Sequence, residues 1–389
     1  MQIADLALQR NKYKHLTDDE WRWFLQQEEG RQRTADKLPT FAAIPDWWYP
    51  VRLSCEQCSS ELTARYKAQL VNSQSSNRQC LDLTGGYGVD TFFISQHFAH
   101  TDYVEQNPEL CRIAEHNFNL QGNTNGSIAV HNSAAEDFLK TAGQYHLIFL
   151  DPARRDSHGG KVFRLQDCTP DVTVLLPTLL SHLAPDGRLL LKLSPMLDIT
   201  QAIKELSSIP NYQSTLTWDI HIVAVKNEVK EVLLLSGGTG QITAVDLSQN
   251  VPPFVFTREE EQSAQAEMFN SQLSTADCYY LYEPSAAILK AGAYKLVAQR
   301  FGQQKLDPNT HLYVSDTLIS SFPGRIWKIV QPLTNHQLPL TNANILVRNY
   351  PLTPDQLKKK LHLRDGGTAF IIGCRIAGKP TLLFAERLN

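Results

Sequence analysis

The chain has few cysteines for its length and lacks the features of a secreted or membrane-spanning protein. Its 389 residues include seven cysteines, an odd and scattered set. Such a set is typical of free thiols in a reducing compartment rather than of a disulfide framework. No apolar run reaches the length of a transmembrane helix, and residues 1–29 are polar and charged, unlike a signal peptide. We therefore expect a cytoplasmic protein.

The chain also lacks a strong net charge, internal repeats and long low-complexity segments. Its formal net charge is −3, so any site for a charged partner has to be sought region by region. The length and a hydrophobic content of 42% predict two or three domains with real cores. Cys55 and Cys58 have no second cysteine pair and no histidine pair beside them, so core packing is favoured over a zinc or redox site. No metal site is predicted.

A glycine-dense stretch at residues 79–90, QCLDLTGGYGVD, predicts a strand, a tight turn and a helix. Gly86 and Gly88 allow the backbone to turn sharply and to approach a ligand closely. Asp82 ends the strand, where ligands bind in open α/β sheets. The alternative is an ordinary strand-to-helix turn with a solvated Asp82. No Gly-Lys-Ser/Thr sequence follows the turn, which argues against a phosphate loop. The glycines alone do not exclude a nicotinamide dinucleotide-binding fold.

From residue 79 the pattern alternates strictly between strand and helix. Such alternation predicts a parallel, doubly wound sheet. Two long β runs at 214–225 and 231–236, separated by five residues, predict an antiparallel pair that closes it. The predicted strands are 79–84, 101–106, 127–132, 145–150 and 188–194, and the predicted helices are 88–98, 108–120, 135–142, 170–184 and 198–207.

The remaining segments divide the chain into predicted domains. Residues 37–50 are predicted to be extended, and Trp47, Trp48 and Tyr49 are predicted to pack against the next domain rather than to stack on bases. Helices are predicted at 258–269 and 286–301, a strand at 311–315, and a small α+β unit at the end. The predicted divisions are a mostly helical segment 1–71, a sheet domain 72–240, a linker with a small segment 241–321, and a C-terminal domain 322–389.

The C-terminal domain carries most of the positive charge. Residues 322–389 hold ten basic and three acidic residues, a formal charge of +7, so the rest of the chain carries about −10. Lysine and arginine contacts to phosphate supply most of the sequence-independent affinity for nucleic acids. The run Lys358–Lys360 alone could be an ordinary solvated surface, but the concentration of charge in one small domain favours RNA binding.

The stretch from Asp82 to Gly88 resembles the first motif of class I S-adenosylmethionine-dependent methyltransferases, with Thr84 in place of the first glycine. Glu105, at the end of the second strand, resembles the acid of the second motif, which accepts both ribose hydroxyls of an adenosine. The resemblance implies S-adenosylmethionine as the cofactor. The implied cofactor-binding residues are Asp82, Thr84, Gly86, Gly88, Glu105, Gln106, Glu136 and Asp137, although Glu136 and Asp137 could simply be acids at a helix start.

The fourth strand ends in Asp151-Pro152-Ala153-Arg154, at the position of the motif that orients an amine in amino-methyltransferases. The resemblance implies that the Asp151 side chain and the Pro152 carbonyl accept hydrogen bonds from the nitrogen to be methylated, because positioning is most of the catalysis. Arg154 replaces the usual aromatic residue and can stack on a base or bind phosphate. The Asp-Pro-x-Arg sequence at residues 151–154 also resembles a motif of RNA 5-methyluridine methyltransferases. Those need a cysteine where this chain has Lys-Leu-Ser-Pro at 192–195, so carbon-5 uridine chemistry is disfavoured.

Residues 56–61, 151–154, 283–294 and 348–352 together resemble a bacterial family that joins a class I methyltransferase domain to a ferredoxin-like segment and a THUMP-like C-terminal domain. The resemblance implies a mostly parallel, seven-stranded Rossmann-like sheet. It implies methylation of a base nitrogen in structured RNA, ribosomal or transfer, with guanine N2 as the leading candidate. The alternatives are a small-molecule or protein methyltransferase, and a non-catalytic RNA-binding protein with a degenerate methyltransferase fold.

Overall fold

A computed structural model describes residues 3–72, 77–120, 126–154, 164–209, 216–270, 279–333 and 341–388, with Ala4 and Arg154 described by their backbone alone. The chain divides into two compact units, each described here on its own. The first contains Met1–Trp218 and Leu233–Gly237, and the second contains Asp219–Val232 and Gly238–Asn389. No helix in these described ranges is long and apolar enough to cross a membrane.

The first unit begins with helices, as predicted. The longest starts at a capping box, in which the Thr17 side chain accepts from the Glu20 amide and the Glu20 side chain accepts from the Thr17 amide. The prediction that residues 37–50 are extended was wrong for residues 39–43, where Pro39 occupies the first helical position. The helices are α1 Ile3–Ala7, α2 Asp18–Thr34, α3 Pro39–Ala43, α4 Arg52–Gln57 and α5 Glu61–Leu70.

A parallel sheet follows, which confirms the predicted doubly wound architecture. Its central strand is β1 Gln79–Asp82, flanked by β2 His100–Glu105 and then β3 Ser127–Asn132 on one side. On the other side lie β4 Tyr145–Leu150 and the long β7 Leu183–Leu193, all parallel. A two-strand ribbon, β5 Ala153–Arg154 with β6 Cys168–Thr169, lies between β4 and β7 in the chain. The crossover helices are α6 Val89–Ile94, α7 Pro108–Leu120, α8 Ala135–Phe138, α9 Val172–Ser181 and α10 Ile199–Ser207.

The predicted closing hairpin is present. It consists of β8 Trp218–Val225 and β9 Glu228–Ser236. Lys226 and Asn227 between them both have positive φ, as a tight two-residue hairpin turn requires. Two further strands, β10 Ile242–Asp246 and β11 Phe254–Phe256, extend the sheet beyond the seven strands implied by the resemblance. The complete order is β3-β2-β1-β4-β7-β9-β8-β10-β11.

The second unit contains a seven-stranded, mostly antiparallel sheet of its own, in the order β13-β14-β12-β15-β18-β17-β16. Its core is built around Trp327, Leu281 and Leu383, all fully buried. The strands are β12 Tyr279–Pro284, β13 Gln304–Asp307, β14 Thr310–Ser315, β15 Gly324–Pro332, β16 Asn344–Val347, β17 Ala369–Ile376 and β18 Lys379–Arg387, and the helices are α11 Arg258–Ser263, α12 Ala286–Ala291, α13 Leu296–Arg300 and α14 Pro354–Leu361.

Two helix predictions in the second unit were too long. The helix expected at 286–301 is two short helices, because Gly292 takes a left-handed conformation that ends α12. The helix expected at 258–269 ends at Ser263. The strand Gln304–Asp307 was not predicted from its sequence, in which only Leu306 is strongly apolar.

Candidate active site

The glycine turn between β1 and α6 has the shape that its sequence predicts. Gly86 and Gly88 have φ of +56° and +81°, in the left-handed region that favours glycine. A Cβ on Gly88 would lie 2.8 Å from the Phe118 ring, whereas a Cβ on Gly86 would meet nothing closer than a carbonyl oxygen at 3.8 Å. Gly88 is therefore required by packing as well as by its conformation, and Gly86 borders open space.

Asp82 lies at the floor of this turn and is 2% exposed. One of its oxygens accepts from the Thr84 amide at 3.0 Å, and the other accepts from the Thr91 hydroxyl at 2.6 Å. Burial raises the pKa of Asp82 to about 7. Asp82 is thus not the solvated residue of an ordinary turn but holds the turn against α6.

Glu105 ends β2 and is bound to the same turn. Its Oε2 accepts from the Gly86 amide at 2.9 Å, and its Oε1 accepts from the Asn107 amide at 2.8 Å. The Tyr103 hydroxyl donates to the Gly86 carbonyl at 2.6 Å. These bonds fix the glycine turn and the Glu105 carboxylate relative to each other.

A cavity of about 350 Å³ lies over the turn and the ends of the strands, within the size range of small-ligand sites. Gln57, Cys58 and Ser59 contribute to its wall. Asp137 lies outside the lining, and it pairs instead with Lys140 at 2.7 Å. Pro152 is also absent from the lining, and the Arg154 side chain lies outside the described part of the chain. The predicted site residues that line it are Asp82, Thr84, Gly86, Gly88, Glu105, Gln106, Glu136 and Asp151.

Asp151 follows β4 directly and is held at two points. Its amide donates to the Thr84 hydroxyl at 2.7 Å, and its Oδ2 accepts from the Lys192 ammonium at 2.5 Å. Its side chain is 39% exposed. Oδ1 makes no hydrogen bond to any residue in the described ranges.

A charged cluster behind Asp151 was missed by sequence reasoning. Lys192, near the end of β7, also lies 3.6 Å from Oδ2 of Asp90. Asp90 in turn pairs with the fully buried Lys67 at 3.2 Å and accepts from the Ser59 hydroxyl at 2.7 Å. The one available signal was the single lysine in the apolar run Leu189–Leu193, since charged residues in buried strands are uncommon.

The cluster controls the charge of Asp90. Burial opposes ionisation of this carboxyl group, but the neighbouring Lys67 and Lys192 outweigh burial and hold its pKa below the ordinary value. Asp90 is therefore an anion between two ammonium groups.

The lining is chemically suited to S-adenosylmethionine. Each Glu105 oxygen keeps a lone pair that can accept a ribose hydroxyl, and the open side of Gly86 leaves room for a ligand beside the backbone. Within the described part of the chain, the lining holds five carboxyl groups and one lysine, and this acidic excess attracts a sulfonium cation. These residues are Asp82, Asp90, Glu105, Glu136, Asp151 and Lys192.

The aromatic cluster at residues 47–49 packs against the sheet segment that follows it in the chain, as predicted. Trp47 and Tyr49 are 3% and 1% exposed, and the Trp47 indole donates to the Tyr87 hydroxyl at 2.9 Å. Trp48 stacks on His116 with ring centroids 3.6 Å apart. This packing supports the glycine turn from behind, because Tyr87 belongs to it.

Comparison with known proteins identifies relatives that match more than nine-tenths of the chain. The sequence profile of a ferredoxin-like domain family matches residues 280–323, and that of a THUMP domain-like family matches residues 324–387. An uncharacterized S-adenosylmethionine-dependent methyltransferase of Mycobacterium tuberculosis strain H37Rv is 21% identical over 367 residues, which cover 91% of this chain and 92% of the relative.

A crystal structure gives a stronger match. It is that of a protein classed as a methyltransferase, from Porphyromonas gingivalis W83. The two sequences are 32% identical, the alignment covers 96% of this chain and 92% of the other, and the TM-score is 0.82.

Proposed function

Because this chain belongs to the THUMP-like family of class I S-adenosylmethionine-dependent methyltransferases, we propose that it methylates a base nitrogen of structured RNA, ribosomal or transfer, with guanine N2 as the leading candidate. The observation that carries the proposal is the position of Asp151. It lies in the wall of the cofactor cavity with one carboxylate oxygen open.

The cofactor site is formed by the glycine turn and the ends of β1, β2 and β3. Glu105 accepts the ribose hydroxyls in this proposal, which is supported by its hydrogen bond to the Gly86 amide and by the open space beside Gly86. Gln106 and Glu136 border the same cavity. When bound, S-adenosylmethionine supplies an electrophilic methyl group.

Asp151 orients the substrate nitrogen. Its Oδ1 accepts an N–H of the base, which aims the nitrogen lone pair. The Pro152 carbonyl, which lies outside the cavity lining, is the proposed acceptor of a second N–H. The proton that the nitrogen loses on methylation passes to Oδ1 and then to bulk water, because Asp151 is 39% exposed. Arg154 contributes a contact to the base or to a phosphate.

RNA is held by the basic C-terminal domain. Arg325 and Arg348 are occupied by the buried Glu283, and Lys358 is occupied by Asp365. These internal pairs reduce the charge that is available to a partner. Among the remaining cations, Lys359, Lys360 and Arg364 are exposed near the end of α14, and three neighbouring cations suit a phosphate backbone. They are the proposed RNA-contacting residues.

Transfer of tritium from labelled S-adenosylmethionine to total RNA from a strain that lacks the protein tests the proposal. Wild type, Asp151→Ala and the matched variant Asp186→Ala are compared, because Asp186 is an exposed acid away from the cavity, 66% exposed. We expect wild type and Asp186→Ala to label one RNA size class. Asp151→Ala should give no label while its calorimetric affinity for the cofactor stays within about threefold of wild type.

A small-molecule or protein substrate is the second candidate, since Arg154 stands where amino-methyltransferases of nucleic acids carry a stacking aromatic residue. Cofactor binding by wild type without label in any RNA would favour it and would contradict the RNA proposal. Absence of cofactor binding would instead favour a non-catalytic RNA-binding protein.

A further inference from the structure

Lys192 holds a position that the proposed role of Asp151 does not explain. Its ammonium lies 2.5 Å from Oδ2 of Asp151 and 3.6 Å from Oδ2 of Asp90, and its side chain is 13% exposed. Among the side chains that the structure describes, it is the one basic group in the lining of the cavity. Burying a lysine at a cavity wall costs free energy, so its place there needs a compensating role.

Neutralising nearby acids does not supply that role. Asp90 already has a counter-ion in Lys67, which is 0% exposed, and a hydrogen bond from the Ser59 hydroxyl. Asp151 is 39% exposed, so water can solvate its charge. Asp90 therefore has a counter-ion in Lys67 without Lys192, and Lys192 forms a second ion pair with Asp151 at the cavity wall while also lying 3.6 Å from Asp90.

The second pair has a defined position because the first pair fixes it. Asp90 lies on α6 and Lys67 on α5, and both are buried. Asp90 attracts the Lys192 ammonium from behind, and Thr84 holds the Asp151 backbone from the other side at 2.7 Å. An acceptor and a donor are thus presented side by side at the wall.

We propose that Lys192 is a second substrate-contacting residue, whose ammonium donates a hydrogen bond to the acceptor atom next to the reactive nitrogen while Oδ1 of Asp151 accepts the N–H of that nitrogen. The pair then recognises a base edge on which an N–H donor and an acceptor are neighbours. On guanine, N2 and N3 form such an edge. Asp90 and Lys67 are positioning residues for Lys192. This inference rests on the proposed function.

Lys192→Met, Lys192→Arg and the matched surface variant Lys204→Met test it. Methionine keeps most of the length but removes the charge and the donor, and arginine keeps both. Lys204 is exposed on α10, outside the cavity lining. Each variant is assayed for tritium transfer to the total RNA described above, for calorimetric affinity for S-adenosylhomocysteine, and for melting temperature.

We expect Lys192→Met to lose about 10- to 150-fold in kcat/KM for RNA, because a charged hydrogen bond to the substrate contributes about 1.5–3 kcal/mol. Its affinity for S-adenosylhomocysteine should stay within about threefold of wild type, Lys192→Arg should recover at least about tenfold, and Lys204→Met should match wild type. Transfer by Lys192→Met within about threefold of wild type would overturn the inference alone. If Lys192→Met does not fold, Lys192→Arg provides the test. Tritium transfer by Lys192→Arg at background level, in a folded protein that binds S-adenosylhomocysteine, would also overturn the inference. No transfer by wild type would overturn the proposed function and the inference with it.

Discussion

The hydroxyl of Thr84 accepts a hydrogen bond from the backbone amide of Asp151 at 2.7 Å. Thr84 stands in the glycine turn where the family pattern has a glycine, and a glycine has no side chain to make this bond. The threonine therefore connects the glycine turn directly to Asp151, the residue proposed to orient the substrate. The residue that departs from the sequence motif thus links the glycine turn to the end of β4.

Thr84→Ala is expected to reduce methyl transfer by about tenfold, because the amide of Asp151 loses a hydrogen bond with a net value of about 1 kcal/mol and the carboxylate loses its fixed position. Thr84→Ser keeps the hydroxyl and should retain activity within about threefold. The comparison uses kcat for tritium transfer with RNA in excess, and cofactor affinity measured in parallel. Equal rates for the alanine and serine variants would show that the bond does not position Asp151.

Glu105→Ala is expected to weaken S-adenosylhomocysteine binding by about 30-fold or more, equivalent to about 2 kcal/mol. The variant removes the proposed ribose acceptor and also releases the amides of Gly86 and Asn107. Glu109→Ala is the matched control, since Glu109 pairs with Arg112 on the surface of α7 at 2.7 Å. Calorimetry gives both dissociation constants, and similar values for the two variants would remove Glu105 from the cofactor site.

Asp82 should make the protein less stable as the pH rises from about 4 to about 7. Its pKa is about 7 in the folded chain, against an ordinary value near 4, so the unfolded chain ionises this group first and is favoured as protons are removed. The effect is at most about 4 kcal/mol between these pH values. Asp82→Asn cannot ionise, so its free energy of unfolding should rise relative to wild type across this range. Chemical denaturation of both proteins at several pH values measures the difference, and parallel curves would contradict the pKa.

The sequence predicted the fold because its signals are local. The alternation of strands and helices can be recognised from residues close together in the sequence, and so can the glycines of the turn. The acids Asp82, Glu105 and Asp151 occur where strands end. The cluster of Lys67, Asp90 and Lys192 could not be found this way. These three residues come from α5, α6 and β7, so their contacts exist only after the sheet has assembled. The pairs Glu283–Arg325 and Glu283–Arg348 were missed for the same reason. Because these pairs occupy two arginines, the formal charge of +7 overstated the unpaired positive charge of the C-terminal domain.

Substitution of the exposed lysines of α14 tests RNA binding separately from methyl transfer. The double variant Lys359→Gln/Lys360→Gln should bind the labelled RNA class more weakly, and the slope of log affinity against log salt concentration should become shallower by up to about 2, close to one unit for each lost phosphate contact. Affinity for S-adenosylhomocysteine should not change, since neither lysine lies in the cavity lining. Lys204→Gln/Lys230→Gln removes the same charge from positions outside this domain and should leave the slope unchanged. Filter binding at several salt concentrations measures the slopes, and equal slopes for the two double variants would place the RNA-binding surface elsewhere on the protein.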